Sequence, residues 1–221
     1  MQVTVAIPTK NEGGGIEKVV NAVRPYAEEV LVVDGHSRDA TRDLAAKAGA
    51  RVVLDNRKGK GDGIRVAIRE AKGDVIVFID ADGSHEASDI PKLVKPVLEN
   101  RADLVVGSRT LGGSDEFRMD FNNFLRQVGS DLAVMLVNYR WGVDLTDIQN
   151  GFRAIRKDVA SRIGLRANDF DIEEEMVMKC LKHGFRVSEA ASHEYMRGWG
   201  VSKLPTSKGW KFLWRLFIEL L

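Results

Sequence analysis

The chain has 221 residues, 44% of them hydrophobic and 29% charged, which suits one folded domain with a sizeable core and excludes wholesale disorder. Its 33 Lys and Arg against 32 Asp and Glu leave a net charge of +1, so a general nucleic-acid binder, with its clear basic excess, is not expected. A single cysteine, Cys180, excludes an internal disulfide and reads as a small buried hydrophobe in a helix.

Met1-Gln2 leads straight into an apolar strand, Val3 to Ile7, without the basic region of a signal peptide, and Pro8 is predicted to stop that strand. Asn11-Glu12-Gly13-Gly14-Gly15 reads as a turn into a helix over Ile16 to Val23. A second strand, Val30 to Asp34, is followed by a helix to about Ala48, capped by Ser37 or Asp39. Arg51 to Leu54 is a short third strand. Gly59-Lys60-Gly61-Asp62-Gly63 then opens a helix over Ile64 to Ala71, with phosphate contact by Lys60 a minority reading. This alternation of short apolar and amphipathic runs is the pattern of βαβ units on a mostly parallel sheet.

Val75 to Gly83 is the most informative stretch. Continuous Val, Ile and Phe mark a strand covered on both faces. Ligands of such sheets lie beyond the carboxyl ends of the strands, where this run delivers Asp80 and Asp82. In an extended chain the two carboxylates project to the same side, and like charges that close call for a cation between them. The plainer alternative is an Asp-Gly turn with Asp82 bonding only to backbone.

Further on, a helix runs from Ser88-Asp89-Ile90-Pro91 to about Glu99, and Asp103 to Gly107 forms a strand. Thr110 to Phe121, with Gly112-Gly113-Ser114 and no period, reads as a mobile loop. Asn122 to Tyr139 is a long helix, Gly151 to Ile155 a strand, Ile172 to His183 a helix holding Glu173-Glu174-Glu175, and Arg186 to Met196 a strand. From Trp210 to Leu221 the charges Lys211, Arg215 and Glu219 fall at i, i+4 and i+8, so a helix confines them to one stripe. That helix, ~18 Å long, is too short to cross the ~30 Å hydrocarbon core. Its tryptophans and cations suit the membrane interface, with packing on the domain or a partner chain as the alternative.

Pro8 to Glu12, Asp34 and the Asp80/Asp82 pair all stand at predicted strand ends, and on adjacent parallel strands they converge on one cleft. An acidic strand end can hydrogen-bond a ribose or base. Arg109, Arg126, Arg197 and Lys203 supply cations in the second half that suit a substrate with several phosphates, although any one Arg is more often a surface residue. Neither glycine-rich stretch fits a dinucleotide or P-loop pattern, and the four histidines show no zinc spacing.

These residues carry a resemblance. Ile7-Pro8-Thr9-Lys10-Asn11-Glu12, Val32-Val33-Asp34, Asp80-Ala81-Asp82, Gly107-Ser108-Arg109, Asp147-Ile148-Gln149-Asn150-Gly151-Phe152-Arg153-Ala154 and Arg197-Gly198-Trp199-Gly200-Val201-Ser202-Lys203 stand in an order that resembles the family 2 glycosyltransferases of GT-A fold, specifically the polyprenyl-phosphate hexose synthases typified by dolichol-phosphate mannose synthase. The resemblance runs from about Val3 to Lys203. It implies an α/β, mostly parallel Rossmann-like sheet flanked by helices, a catalytic domain over 1–207 and an amphipathic, interfacial helix over 208–221.

By the same resemblance, Pro8, Lys10, Glu12, Asp34 and Ala81 contact the nucleotide, Asp80 and Asp82 form the metal-binding pair for Mg²⁺ or Mn²⁺ with Ser84 as a further ligand, and Arg109, Arg126, Arg197 and Lys203 serve donor diphosphate or acceptor phosphate. Asp147 is a candidate catalytic group, with capping or ion pairing as its plainer role. Two departures stand out: Val33-Asp34-Gly35-His36-Ser37 replaces the usual Val-Asp-Asp-Gly-Ser, and Ser84 stands where mannose synthases often carry Gln. The activity implied is inverting transfer of a hexose from a GDP-mannose or UDP-glucose type donor to a polyprenyl or dolichyl monophosphate, on the cytoplasmic face of a membrane. Three alternatives stay open: a hydroxyl acceptor with Asp171, Glu173 or Glu174 as base, a sugar nucleotidyltransferase, and a non-catalytic nucleotide-binding module.

Overall fold

The computed structural model describes residues 1–115, 121–199 and 210–220, with the side chains of 121–126, 210, 211 and 213 left aside. Seven strands make one sheet in the order β3-β2-β1-β4-β6-β5-β7: β1 (Val3–Thr9), β2 (Glu29–Asp34), β3 (Arg51–Leu54), β4 (Val75–Phe78), β5 (Leu104–Ser108), β6 (Arg153–Arg156) and β7 (Val187–Ala191). All neighbouring pairs are parallel except those of β6, which runs against both β4 and β5. Helices α1 (Ile16–Val23), α2 (Thr41–Lys47), α3 (Lys60–Glu70), α4 (Ile90–Leu98), α5 (Arg109–Gly112), α6 (Phe121–Trp141), α7 (Lys157–Arg162), α8 (Ile172–Lys182) and α9 (Trp210–Leu220) complete the chain.

The two faces of the sheet bury alternate residues. Val5, Ile7, Val30, Val32, Val75 and Val77 pack beneath α1, α2 and α4, whereas Ala6, Leu31, Val33, Ile76 and Phe78 pack beneath α3 and the helices α6 to α9. Every residue of β4 is therefore buried, as its unbroken apolar run requires. Each such side chain contributes about 1.5–3 kcal/mol relative to exposure.

Three boundaries differ from expectation. Pro8 does not stop β1, which continues to Thr9 alongside Asp34. Pairing of β1 with β4 ends at Ala6 and Phe78, so the donor that Pro8 lacks has no strand to meet on that side. Conversely, β4 stops at Phe78, and Asp80 and Asp82 lie in the turn beyond it rather than on an extended strand. Helix α3 begins four residues early, at Lys60, because Gly59 and Gly61 let the backbone close onto the carbonyls of Asn168 and Ala167, where any Cβ collides. Of the expected loop Thr110 to Phe121, residues 110–112 belong to α5, and 116–120 lie outside the described residues.

The reversed β6 matters for function. Because it runs antiparallel, the loop that enters it, 147–151, lies at the carboxyl ends of β4 and β5. Arg153, wholly buried, fastens that loop: Nε donates to the Asn150 carbonyl (3.0 Å) and Nη1 to that of Glu173 (2.6 Å).

Candidate active site

Adjacent strand ends of β2, β1 and β4 open a cavity of about 480 Å³, lined by Pro8 to Glu12, Val33, Gly35, Asp55, Lys60, Asp80, Ala81, Asp82 and Arg197. Convergence of the strand ends, read from the sequence, is thus present, and Pro8, Lys10, Glu12 and Ala81 all face the cavity. Asp34 does not. Its carboxylate is wholly buried and turns back to accept from the Ser37 N–H (2.9 Å) and hydroxyl (2.5 Å), which shapes the β2–α2 turn.

Each carboxylate of the Asp-Ala-Asp turn meets a cation. Lys60 Nζ lies 2.7 Å from Asp80 and 2.9 Å from the buried Glu173, in a triad over which the Phe170 ring also sits. Burial pushes the Asp80 carboxyl up, but Lys60 and then His85 outweigh it and hold it below the usual range. Burial likewise lowers Lys60, and the two carboxylates beside it raise it further, so it stays charged. Glu173 is shifted up by burial, against the pull of Lys60 and Arg153. Gly151 approaches this triad so closely that a Cβ there lies 2.9 Å from Asp80 Oδ2.

Asp82 is held differently. One oxygen accepts from Ser84 N–H (3.0 Å) and the Ser84 hydroxyl (2.7 Å), and the other meets Arg197 at 2.8 Å. Arg197 belongs to a strap, 194–199, laid along the turn: Tyr195 N–H donates to Ser84 O (2.8 Å), Gly198 N–H to Asp82 O (3.0 Å) and the Trp199 indole N–H to Ala81 O (3.0 Å). The Trp199 ring occupies the space where Gly15 and Gly83 have no side chain, and Lys18 stacks on it at 5.8 Å. Gly83 has φ +74, so both its backbone and the ring against it call for glycine.

The acceptor-side candidates separate. Arg109 forms a two-pronged pair with Asp147 (2.6 and 3.1 Å) and lies 3.6 Å from Glu194. Asp147 also accepts from the backbone N–H groups of Gln149, Asn150 and Arg109. Burial raises the Asp147 carboxyl, but the Arg109 guanidinium overrides this and keeps it ionised, which makes it an anchor for Arg109 and a poor proton acceptor. The Arg126 side chain and Lys203 lie outside what the structure describes. Of the carboxylates named as alternative bases, Asp171 pairs with Arg215 (3.0 Å), Glu173 with Lys60, and Glu174 accepts, among the described residues, from the Gln149 amide (3.0 Å). Burial moves Glu174 up to about 7.

Among the described side chains of α9, the charges turn inward: Arg215 reaches Asp171 (3.0 Å) and Glu175 (3.2 Å) near α8, and Glu219 is buried beside Lys179 (3.9 Å). Leu216 joins the core, while Trp214, Phe217 and Ile218 face out. Against it, α6 exposes Val128, Leu132, Met135 and Tyr139, spaced along one helical face. Among the described residues no helix is long and apolar enough to cross a membrane.

The model of the glycosyl transferase family 2 matches residues 4–164, well over half of the chain. The chain belongs to that family. Glycosyltransferase AglJ of Haloferax volcanii is 32% identical over 88% of the chain, and the dolichol-phosphate mannosyltransferase of Pyrococcus furiosus is 32% identical over 81%. An undecaprenyl-phosphate mannosyltransferase of Micrococcus luteus is 31% identical over 92% of this chain and 88% of its own length. The chain spans 63% of the Haloferax relative and 53% of the Pyrococcus one. Glucosyl-3-phosphoglycerate synthase from Mycobacterium tuberculosis, solved with Mn²⁺, uridine diphosphate and glucosyl-3-phosphoglycerate, superposes with a TM-score of 0.77 over 99% of this chain and 80% of that one. At 20% identity it carries the fold, a GT-A sheet flanked by helices.

For a family 2 site, the donor set suits a hard divalent ion. Asp80 and Asp82 offer carboxylate oxygens to one cavity, with the Ser84 hydroxyl behind Asp82. Among the described residues no three His, Cys, Asp or Glu side chains gather as a metal cage, so other ligands would come from water and substrate oxygens, as Mg²⁺ prefers. Three residues that sequence reasoning passed over or weighed lightly complete the site. Lys60 had a signal in its glycine-flanked place at a helix start. Trp199 lay inside a motif already singled out, and His85, buried and stacked on Phe152 at 5.2 Å, had none.

Proposed function

We propose that this family 2 chain transfers a hexose from a nucleotide sugar of GDP-mannose or UDP-glucose type to a polyprenyl or dolichyl monophosphate, assisted by Mg²⁺ or Mn²⁺. The observation that carries the reading is the state of the acids. Asp147, Glu173 and Asp171 are bound to Arg109, Lys60 and Arg215, and Glu174 lies away from the cavity. An acceptor whose oxygen is already ionised needs no base, and a lipid monophosphate is such an acceptor. Its oxygen attacks the anomeric carbon as the bond to the nucleoside diphosphate breaks and the electron pair leaves with the diphosphate, inverting the configuration.

In this reading Pro8 to Glu12 and Ala81 seat the nucleotide, and Asp80, Asp82 and Ser84 would hold the metal, which when bound would supply charge neutralisation for the leaving diphosphate. Arg197, released from Asp82, turns to diphosphate oxygens. Arg109, aimed by Asp147, serves the acceptor phosphate, the role also proposed for Arg126 and Lys203. Asp34 acts on the nucleotide only through the turn it holds.

The outward apolar faces of α9 and α6 support attachment of the 1–207 catalytic unit to a membrane surface through 208–221, with α6 beside it. The names of the Pyrococcus and Micrococcus relatives support a lipid phosphate as acceptor. Incubation with labelled GDP-mannose or UDP-glucose, Mn²⁺ and a polyprenyl monophosphate is expected to move label into lipid. Transfer to a sugar hydroxyl alone would replace the acceptor in this reading, and turnover that requires pyrophosphate would point to a nucleotidyltransferase.

A further inference from the structure

We propose that a second, cationic pocket beside the nucleotide cleft binds a phosphate-bearing small molecule. A cavity of about 610 Å³ opens at the carboxyl ends of β1 and β2, and its charged lining is Lys10, Arg38, Arg42 and Arg57, beside His36 and with no acidic residue. Three loops are stitched together to build it. Asn11 N–H donates to the Ser37 hydroxyl (2.8 Å), and the Asn11 side-chain carbonyl accepts from Arg38 N–H (2.8 Å), joining the loops after β1 and β2. His36 Nε2 meets the Asp55 carbonyl at 2.9 Å, joining the loops after β2 and β3, while Arg57, at φ +64, bonds its N–H to the Asp55 carboxylate (2.8 Å).

Cations brought together this way repel one another. Two acids border the pocket: Asp34, wholly buried, bonded by Ser37 and 3.9 Å from Arg42 Nε, and Asp55, 3.6 Å from His36 Nε2. The guanidinium groups of Arg38 and Arg57 have no ion-pair partner among the described residues. Guanidinium forks match phosphate oxygens in pairs, so a multiply charged phosphate is the ligand this charge set fits. The volume is that of a small-molecule site and exceeds the needs of a bare ion.

This pocket is not the seat of the donor diphosphate. Asp80, Asp82 and Arg197 line the cleft and not the pocket, whereas Lys10, Asn11, Gly35 and Arg57 are shared by both. Gly35 makes the junction, since a Cβ there would press on Thr9 O (3.3 Å) and on the Lys10 stem (3.4 Å). The inference holds whichever sugar or acceptor the enzyme uses.

The test is calorimetric titration of the full chain with inorganic pyrophosphate in the presence of EDTA. Saturable binding is expected in the parent, with affinity lower by about tenfold or more in Arg38→Ala/Arg42→Ala and within about twofold of the parent in Arg197→Ala. Arg38→Lys/Arg42→Lys is expected to recover part of the loss, and unchanged circular dichroism shows that the variants fold. No saturable binding, or a loss in Arg197→Ala as large as in the pocket variant, overturns the proposal. Vesicles of phosphatidylglycerol or phosphatidylcholine then separate the sources. Binding to the former that depends on Arg38 and Arg42 assigns a lipid headgroup, and pyrophosphate binding without it assigns a soluble phosphate compound.

Discussion

Asp80 and Asp82 stand two residues apart in one turn, yet their countercharges come from opposite kinds of structure. Lys60 is carried by α3, sits 15% exposed between two carboxylates and is walled by Phe170. Arg197 is carried by a strap, is 29% exposed and meets one carboxylate. Lys60 is the more enclosed cation and also serves the buried Glu173, although Asp80 itself faces the cleft at 29% exposure, whereas Arg197 lies at the rim of the site. A charge taken from water needs a fixed partner, whereas a charge at the rim can exchange a side chain for a ligand.

That contrast breaks or holds on stability measurements. Lys60→Met leaves Asp80 and Glu173 facing each other without a cation and is expected to cost about 3–5 kcal/mol of unfolding free energy in denaturant titration. Glu173→Gln added to it should recover much of the loss. If Lys60→Met proved no worse than a rim substitution, Lys60 would not be part of the core.

Glu174, next along α8, extends the comparison to a buried acid with no ion-pair partner among the described residues. Burial raises its carboxyl to about 7 from 4.5. Between these values the folded chain binds the proton more tightly than the unfolded one, so stability from this group falls as pH rises from about 4.5 to about 7 and stays low above. Glu174→Gln removes the penalty and is expected to stabilise by on the order of 2 kcal/mol at pH 8, with almost no effect at pH 4.5. Melting curves at the two pH values decide it, and equal shifts at both would refute the assignment.

Arg197→Ala should be the mildest for folding, under about 1 kcal/mol, because a partly exposed pair is screened by water. Its expected signature is in turnover, down on the order of 10²-fold. A large stability loss with ordinary turnover would reverse the roles of the two cations.

Much of this was legible from residue pattern. The parallel β1, β2 and β4 announce themselves by apolar runs, and the strand ends that share a cavity follow from the order of βαβ units. Less legible was anything set by long-range pairing. The reversal of β6 has no local signature in Arg153 to Arg156, although it positions the loop with Asp147. Asp34 and Asp80 look alike at strand ends, but one caps a turn and the other faces the cleft, a difference decided by Ser37 and Lys60. The helical stripe of Arg215 and Glu219 was visible, and its direction was not, because the acids it meets lie 40 or more residues away in sequence.

The inward charges of α9 carry a further consequence. Arg215 serves as countercharge to Asp171 and to the buried Glu175, so the helix that would touch a bilayer is also one that completes the fold. Attachment and folding are then linked equilibria: a lipid surface that engages Trp214 and Phe217 only in the seated helix acts as a ligand of the native state alone. Cutting the helix away would remove the proposed anchor and take Arg215 from Asp171 and Glu175 at once, whereas altering its outer face would touch the proposed anchor only.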